Sequence, residues 1–239
     1  MSGILFIISA PSGSGKTTLT NELLKLVPGL EFSISYTTRP PRGSEQSGRE
    51  YFFVSQEKFI EMMAAEEFLE SACVFGHYYG TAKRFLADAF AQGKDLLLDI
   101  DVQGAAQVKE KMPEAVSIFI MPPSRETLEF RLRNRSHNEN VDDDTVRRRL
   151  DGARKEIENY PNYDYILVND RLEQSIDQLK AVVSSERAKR SGTPSAVAAE
   201  ESDKARTCLR ENVRPRAEQI LRSFEENGAE TPAGGRHKR

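Results

Sequence analysis

The first 27 residues hold the feature that most restricts the fold, which is a buried strand joined to a helix by a glycine-rich loop. Residues 4–9 (ILFIIS) form a continuous apolar run, which is typical of a strand covered on both faces of a parallel sheet. The loop at 10–17 follows directly, and Leu19, Leu23 and Val27 then repeat at helical spacing. This order of elements predicts the opening of a βαβ unit.

The loop itself has the composition of a phosphate-binding loop. Its residues are Ala10, Pro11, Ser12, Gly13, Ser14, Gly15, Lys16 and Thr17. Glycines let the chain turn back so that successive backbone N–H groups point at one anion, and the helix that follows adds partial positive charge. Lys16 would reach the β- and γ-phosphates of ATP, and Thr17 would offer its hydroxyl to Mg²⁺. Ala10 stands where the usual pattern has glycine. The alternative is an ordinary Gly/Ser-rich turn.

Further apolar runs alternate with helical segments along the chain. They lie at 95–101 (DLLLDID), 116–121 (VSIFIM) and 163–168 (YDYILV). This alternation predicts an α/β fold with a parallel sheet. The segment 33–80 interrupts it with shorter strands and loops, and we interpret that segment as an inserted subdomain.

The end of the chain differs in composition from the rest. Residues 191–239 are rich in Ser, Gly, Pro, Ala, Glu and Arg, which predicts disorder, with a possible helix near 204–224.

Charge and cysteine content restrict the class of partner. The 239 residues carry a formal net charge of −3, which argues against a nucleic-acid partner. Cys73 and Cys208 are too few and too far apart for a disulfide framework or a zinc site, so a cytoplasmic setting fits. The apolar run at 4–8 is too short to span a membrane, and we expect no membrane partner.

Two acidic residues end the run at 95–101. Ligands of open α/β sheets bind outside the carboxyl ends of the strands, so Asp99 and Asp101 would lie near the phosphate loop. Carboxylates there suit a hydrated Mg²⁺. In the alternative, one acid caps the helix that begins near Val102 and the other is solvated.

Several stretches resemble the guanylate kinase family, in its bacterial form and in its order, from about residue 3 to 187. They read SAPSGSGKTT, SISYTTRPPR, REYFFVS, FLESACVFGHYYGT, LLLDIDVQGA, FIMPPS, RLRNR, VRRRL and ILVND. The resemblance implies a P-loop NTPase-like sheet with helices on both faces (3–32 and 82–187), a mixed β/α GMP-binding subdomain (33–81) and a helical lid (about 137–154). It implies transfer of the γ-phosphoryl group of ATP to GMP with Mg²⁺, for the synthesis and recycling of guanine nucleotides.

The same resemblance assigns residues to the GMP site. Arg39, Arg42, Tyr51 and Tyr79 would hold the phosphate, Ser35, Glu70, Thr81 and Asp101 would address guanine, and Glu45 and Asp99 are further candidates. Paired guanidiniums grip a phosphate bidentately. A carboxylate such as Glu70 accepts both N1–H and the 2-amino group of guanine, and adenine has no matching donor pair. Such sites discriminate by roughly 10⁴–10⁵.

On the ATP side, the resemblance assigns basic residues and one amide. Arg131, Arg135 and Arg149 would be donor-side arginines, and Asn169 would lie near the adenine. Lys16, Arg39, Arg135 and Arg149 would be catalytic. The family's Arg-Gly-Arg-Gly is here Arg133-Asn134-Arg135-Ser136, which affects the lid hinge. Arginines on a helix face are also often merely solvated. A non-catalytic module of this fold and a P-loop kinase for another acceptor are the competing interpretations, and the sequence leaves open monomer or homo-oligomer.

Overall fold

The computed structural model describes residues 3–74, 76–137, 143–192 and 196–226, without the side chains of 135–137, 196–198 and 226. Its elements in chain order are β1 (Leu5–Ser9), α1 (Lys16–Leu26), β2 (Leu30–Phe32), β3 (Tyr36–Thr37), β4 (Phe52–Phe53), α2 (Gln56–Ala64), β5 (Phe68–Val74), β6 (His77–Ala82), α3 (Lys83–Ala91), β7 (Asp95–Asp99), α4 (Val102–Lys111), β8 (Val116–Met121), α5 (Arg125–His137), α6 (Asp143–Ile157), β9 (Tyr165–Val168), α7 (Leu172–Ser191), α8 (Ala196–Arg206) and α9 (Arg210–Glu226). A short 3₁₀ turn, Tyr160–Asn162, precedes β9.

The main sheet has five parallel strands in the order β2-β7-β1-β8-β9. The predicted apolar runs at 4–9, 95–101, 116–121 and 163–168 supply β1, β7, β8 and β9. The predicted α/β class with a parallel sheet is therefore confirmed. Because β1 lies at the centre, its carboxyl end delivers the glycine-rich loop to the middle of one sheet edge.

Helices cover both faces of this sheet. Leu5 and Ile7 of β1 are buried among residues of α3, α4, α5, α6 and α9. Phe6 and Ile8, which point to the opposite face, are buried among residues of α1, α7 and α8. Burial on both faces explains why these strands are apolar at every position rather than at alternate positions.

The inserted segment forms a second, mixed sheet in the order β4-β3-β6-β5. Strands β3 and β4 are parallel, whereas β6 runs antiparallel to β3 and β5. Its apolar side is aromatic, with the Phe59 and Phe68 rings stacked at 4.5 Å between centroids. A Cβ on Gly80 would lie 2.9 Å from Phe68, so glycine lets β6 approach these rings.

The prediction of disorder after residue 191 is wrong for residues 196–226, which form α8 and α9. The apolar residues Val213, Ala217, Ile220 and Phe224 recur at helical spacing on α9 and are buried. Average composition concealed this periodicity, because charged residues fill the positions between them. The possible helix near 204–224 corresponds to α9 in part. Residues 193–195 and 227–239 lie outside the described part of the chain.

Two further properties bear on the expected setting. Within the described ranges, no helix is long and apolar enough to cross a bilayer. Cys73 is exposed, Cys208 is buried, and both are free thiols.

Candidate active site

The loop between β1 and α1 has the backbone of an anion-binding turn. Gly13 and Gly15 have φ of 90° and 91°, which is the left-handed region that favours glycine. Ser14 N–H donates to Pro11 O at 3.1 Å and closes the turn. A Cβ on Gly15 would lie 2.4 Å from Asn169 Nδ2, and one on Gly13 would lie 3.0 Å from Leu128 and Leu132. The loop is thus packed from behind, and the first N–H groups of α1 face outward.

Lys16 forms an ion pair with Asp99. Asp101 instead caps α4, because its Oδ1 accepts the N–H of Gly104 at 2.8 Å. The capping alternative therefore holds for Asp101, but Asp99 is not simply solvated. Both acids stand at the edge of the sheet where the loop emerges.

The oxygen donors at this edge fit Mg²⁺. The hydroxyl-bearing Thr17 is exposed directly after Lys16, and carboxylates with a hydroxyl are the ligand types that Mg²⁺ prefers. Among the described residues, no group of three or more His, Cys, Asp or Glu side chains is arranged to hold a metal alone.

Asn169 and Arg131 support the loop from behind. Asn169 is buried and its Nδ2 donates to Ser14 O at 2.8 Å. Arg131 Nη2 donates to Asn169 O at 3.0 Å, whereas its buried Nη1 has no partner in the described structure. Burial lowers the pKa of the Arg131 guanidinium. A half-buried cation with an unused donor beside an anion-binding turn is suited to accept a phosphate.

The other predicted donor-side arginines are less well defined. Arg149 lies half-buried on α6. Arg135 falls within α5, but its side chain lies outside the described residues, as do residues 138–142 of the predicted lid.

Arg39 is the buried centre of the second cluster, with 6% of its surface exposed. Its Nη1 and Nη2 each donate to one oxygen of Glu45 at 3.0 Å, and the Arg42 N–H donates to Glu45 Oε2 at 2.7 Å. One edge of the guanidinium is therefore fixed by Glu45. Burial lowers the pKa of Arg39, but hydrogen bonds with Glu45 and then Tyr79, together with the charge of Glu45, more than offset it, so the pKa is raised. The Arg42 side chain is exposed.

Aromatic residues enclose this guanidinium. Arg39 Cζ lies 5.4 Å from the Tyr51 ring centroid, and the Tyr51 and Tyr79 rings are 5.8 Å apart. Burial, followed by the charge of Asp99, raises the pKa of the Tyr51 phenol to about 12. Tyr51 therefore stays a neutral hydrogen-bond donor at physiological pH.

Glu70 is the centre of a polar pocket between the two sheets. It pairs with Thr81 across β5 and β6, and Thr81 Oγ1 lies 3.4 Å from Ser35 Oγ. A Cβ on Gly104 would lie 2.5 Å from Glu70 Oε2, so α4 closes the pocket. Glu70 is 3% exposed, and burial, with the charge of Asp101, raises its pKa to about 7. Hydrogen bonds from the hydroxyl and the backbone N–H of Thr81 favour its ionised form but do not offset the effect of burial.

The structure also places an acid that the sequence analysis missed. The side-chain carboxylate of Glu156 in α6 has no hydrogen bond or ion pair within the described part of the chain, and burial raises its pKa to about 7. Lys16 opposes this rise and Asp101 adds to it, so Glu156 faces the edge of the sheet near the loop. The available signal was its position directly before Ile157, a buried residue of the stripe that includes Ala153. Because most residues of α6 are charged, the sequence alone does not distinguish Glu156 from its solvent-exposed neighbours.

Comparison with known proteins gives consistent matches. The family model described as guanylate kinase matches residues 2–186. The chain is 59% identical to the guanylate kinase of Koribacter versatilis over 230 residues, 95% of this chain and 97% of that protein. It is 49% identical to the guanylate kinase of Dechloromonas aromatica over 183 residues, 77% of this chain and 89% of that one. A crystal structure of guanylate kinase from Anaplasma phagocytophilum aligns with a TM-score of 0.64 and 36% identity, over 77% of this chain and 86% of that chain.

Proposed function

Because the chain belongs to the guanylate kinase family and catalyses the ATP-dependent phosphorylation of GMP to GDP, we propose that its two clusters divide this reaction between donor and acceptor. The main support is the position of Asp99, which pairs with Lys16 while its charge raises the pKa of Tyr51. The anion-binding loop and the Arg39 cluster thus border the same carboxylate. A phosphoryl group could pass between them without crossing solvent.

On the donor side, the N–H groups of residues 12–17 bind the ATP phosphates together with Lys16. Arg131 uses its unpartnered Nη1, while Arg135, just before the lid at about 137–154, and Arg149, within it, approach from the lid side. Asn169 lies near the adenine and holds Ser14. Basic groups stabilise the charge of the transferring group, and such arginines contribute on the order of 10³–10⁵ in rate.

Mg²⁺ is the metal to which this side is suited. Thr17 would bind it directly, and Asp99 or Asp101 would bind it through water. When bound, it neutralises charge on the phosphates. Lys16, which pairs with Asp99 in the structure, would contact a phosphate oxygen of bound ATP.

On the acceptor side, the subdomain at 33–81 binds GMP. Arg39, Arg42, Tyr51 and Tyr79 hold the phosphate, with Glu45 fixing the orientation of Arg39. Glu70 accepts N1–H and the 2-amino group of guanine, while Ser35, Thr81 and Asp101, with Asp99 at the margin, complete the pocket. Guanine would add two donors to those of Thr81, so binding would lower the raised pKa of Glu70 and favour its ionised form.

No general base is required for the chemistry. An oxygen of the GMP phosphate, already ionised, attacks the γ-phosphorus of ATP, and the bond to the β-phosphate oxygen breaks to release ADP. Catalysis then rests on alignment and charge stabilisation. Closure of the lid and the subdomain would exclude water and prevent ATP hydrolysis.

The test is an acceptor panel of GMP, dGMP, AMP, UMP and CMP with ATP and Mg²⁺, measured as ADP release. We expect kcat/KM for GMP to exceed that for AMP by about 10⁴ or more, since AMP leaves Glu70 unpaired. Comparable use of AMP and GMP would contradict the role of Glu70. Omission of Mg²⁺ should abolish turnover with every acceptor.

The remaining expectations concern setting and partners. We infer that the enzyme works in the cytoplasm on these two small molecules, without a nucleic-acid or membrane partner. The free thiols of Cys73 and Cys208 support a reducing compartment.

A further inference from the structure

Helices α8 and α9 lie beyond residue 186, where the match to the family model ends. The family's reaction therefore does not by itself account for them. Helix α8 packs with α7 on one face of the sheet, whereas α9 returns to the opposite face. The part of the molecule that α9 covers is the support of the phosphate loop.

The apolar face of α9 packs against α5 and α6. Val213, Ala217, Ile220 and Phe224 are buried in one cluster with Leu128 and Leu132 of α5 and with Val146 and Ile157 of α6. Leu128 and Leu132 in turn lie against Gly13, where an added Cβ would meet each of them at 3.0 Å. Helix α9, helix α5 and the phosphate loop are therefore successive packed layers. Close-packed layers transmit a displacement, because they contain little free volume to absorb it.

Polar contacts connect α9 to the same support at three points. The Arg125 N–H at the start of α5 donates to Ser223 Oγ at 3.1 Å. Arg216 Nη2 donates to Asp170 Oδ2 at 3.3 Å, and Asp170 directly follows the Asn169 that holds Ser14. Arg154 of α6 donates to Glu225 at 3.2 Å. Two of these contacts thus reach the elements that carry Arg131 and Asn169.

The acceptor side is arranged differently. Within the described residues, the apolar cluster of the second sheet consists of residues from positions 36 to 85 and includes none from α9. Leu69 of β5 shares the cluster of α9, but Leu128 and Leu132 of that cluster lie directly against Gly13, so a disturbance of α9 would reach the loop first.

We propose that α9 is a positioning element for the donor half of the site: it holds α5 and the turn after β9 against the phosphate loop, so that ATP meets a preformed cradle. This inference rests on the proposed function of the loop. Without α9, the outer surfaces of Leu128 and Ile157 would be open to solvent, and the Arg125 N–H at the start of α5 would lose its acceptor, the Ser223 hydroxyl. The loop would then have to be ordered by the nucleotide, which weakens binding.

The test uses the full-length protein with Phe224→Ala, and Ser223→Ala as a milder variant that leaves the apolar cluster intact. Calorimetry measures Kd for the non-hydrolysable ATP analogue AMPPNP with Mg²⁺ and, separately, Kd for GMP. We expect Phe224→Ala to raise Kd for the analogue about 5- to 10-fold and Ser223→Ala about 2- to 3-fold, with GMP changed less than about 2-fold. Arg222→Ala, exposed on the same helix, is the matched control and should change neither.

Hydrogen exchange provides the readout that general destabilisation would not produce. Below the melting transition, amides of residues 12–17 and of α5 should exchange faster in Phe224→Ala, while β5 and β6 stay as in the parent. If Phe224→Ala does not fold, Ser223→Ala provides the test, because its Kd for AMPPNP should rise more than its Kd for GMP. Equal weakening of both ligands, or an unchanged Kd for the analogue, would overturn the proposal. These dissociation constants are measured without turnover. A wrong catalytic assignment would therefore be detected separately, as near-normal kcat in Lys16→Ala.

Discussion

The donor and acceptor halves of the site are built in opposite ways. The donor half consists mainly of main chain from consecutive residues, 10–17, held in shape by two left-handed glycines. The acceptor half consists of buried charged and hydroxyl side chains, such as Arg39, Glu70 and Thr81, which come from three different segments. In the proposed function, the first half would bind an anion that any nucleoside triphosphate carries, and the second would distinguish one base from another. Backbone groups therefore suffice to bind a phosphate common to all nucleoside triphosphates, whereas discrimination between bases requires polar side chains that are costly to bury.

The largest expected effect separates the two halves by removing Lys16. Lys16→Ala should lower kcat by about 10³ or more, because the transferring group loses a preorganised cation. The Kd for GMP should stay within about 2-fold, since the acceptor half does not need this ammonium group. Steady-state kinetics and calorimetry with GMP measure the two quantities.

Lys25→Ala is the matched control for that variant, because Lys25 lies exposed on the same helix and pairs only with Glu22 among the described residues. It should turn over like the parent. Near-normal turnover in Lys16→Ala would mean that the loop does not bind the donor as assigned.

The second effect falls on the acceptor half. Glu70→Gln should lower kcat/KM for GMP by about 10²–10³, because an amide cannot accept both guanine donors and places its own NH₂ against one of them. KM for ATP should change little. Glu67→Gln, exposed just before β5, is the control. If Glu70→Gln impaired the use of ATP as much as the use of GMP, Glu70 would not be specific to the acceptor half, and its assignment to guanine would be wrong.

How far the sequence could predict each half follows from how it is built. The strand, the loop and the residues of the donor cradle are adjacent in the chain, so local pattern was sufficient. The acceptor residues were assigned through resemblance, because no local rule predicts that Glu70 and Ser35 both approach Thr81. Sheet register decides that, and register depends on the whole insert.

What the sequence missed had a common cause. Glu156 and the apolar face of α9 both lie in strongly charged segments, where average polarity suggests solvent. Position decided how far they are covered: Glu156 is half-buried and directly precedes the buried Ile157, and Ala217 and Phe224 of α9 are buried seven residues apart on one face. Whether a helix of this kind packs depends on a partner surface, here α5 and α6, that is formed only in the folded chain.

A third, smaller effect tests how the acceptor half orients its phosphate-binding group. Glu45 fixes one edge of the Arg39 guanidinium and also accepts the Arg42 N–H. Glu45→Ala should therefore raise KM for GMP about 10-fold, because Arg39 loses its preferred orientation. KM for ATP should not change. Tighter GMP binding in this variant would mean that Glu45 competes with the phosphate instead of positioning its partner.

The smallest effect concerns stability, and it separates specificity from folding. The pKa of Glu70 is raised to about 7 from an ordinary value of 4.5, so the folded protein retains a proton that the unfolded chain releases between these values. The free energy of unfolding therefore falls as pH rises from about 4.5 to 7 and stays lowered above that range. Glu70→Gln removes this penalty and should be more stable than the parent at pH 8, by on the order of 1–3 kcal/mol, with little difference at pH 4.5. Denaturant unfolding at the two pH values without nucleotide measures this difference in the free energy of unfolding.

Saturating GMP should reverse the order of stability at pH 8, because only the parent gains from pairing guanine with an ionised Glu70. If Glu70→Gln were less stable than the parent at pH 8 without ligand, Glu70 would stabilise the fold. Burying the ionised carboxylate for guanine recognition would then not lower the free energy of unfolding.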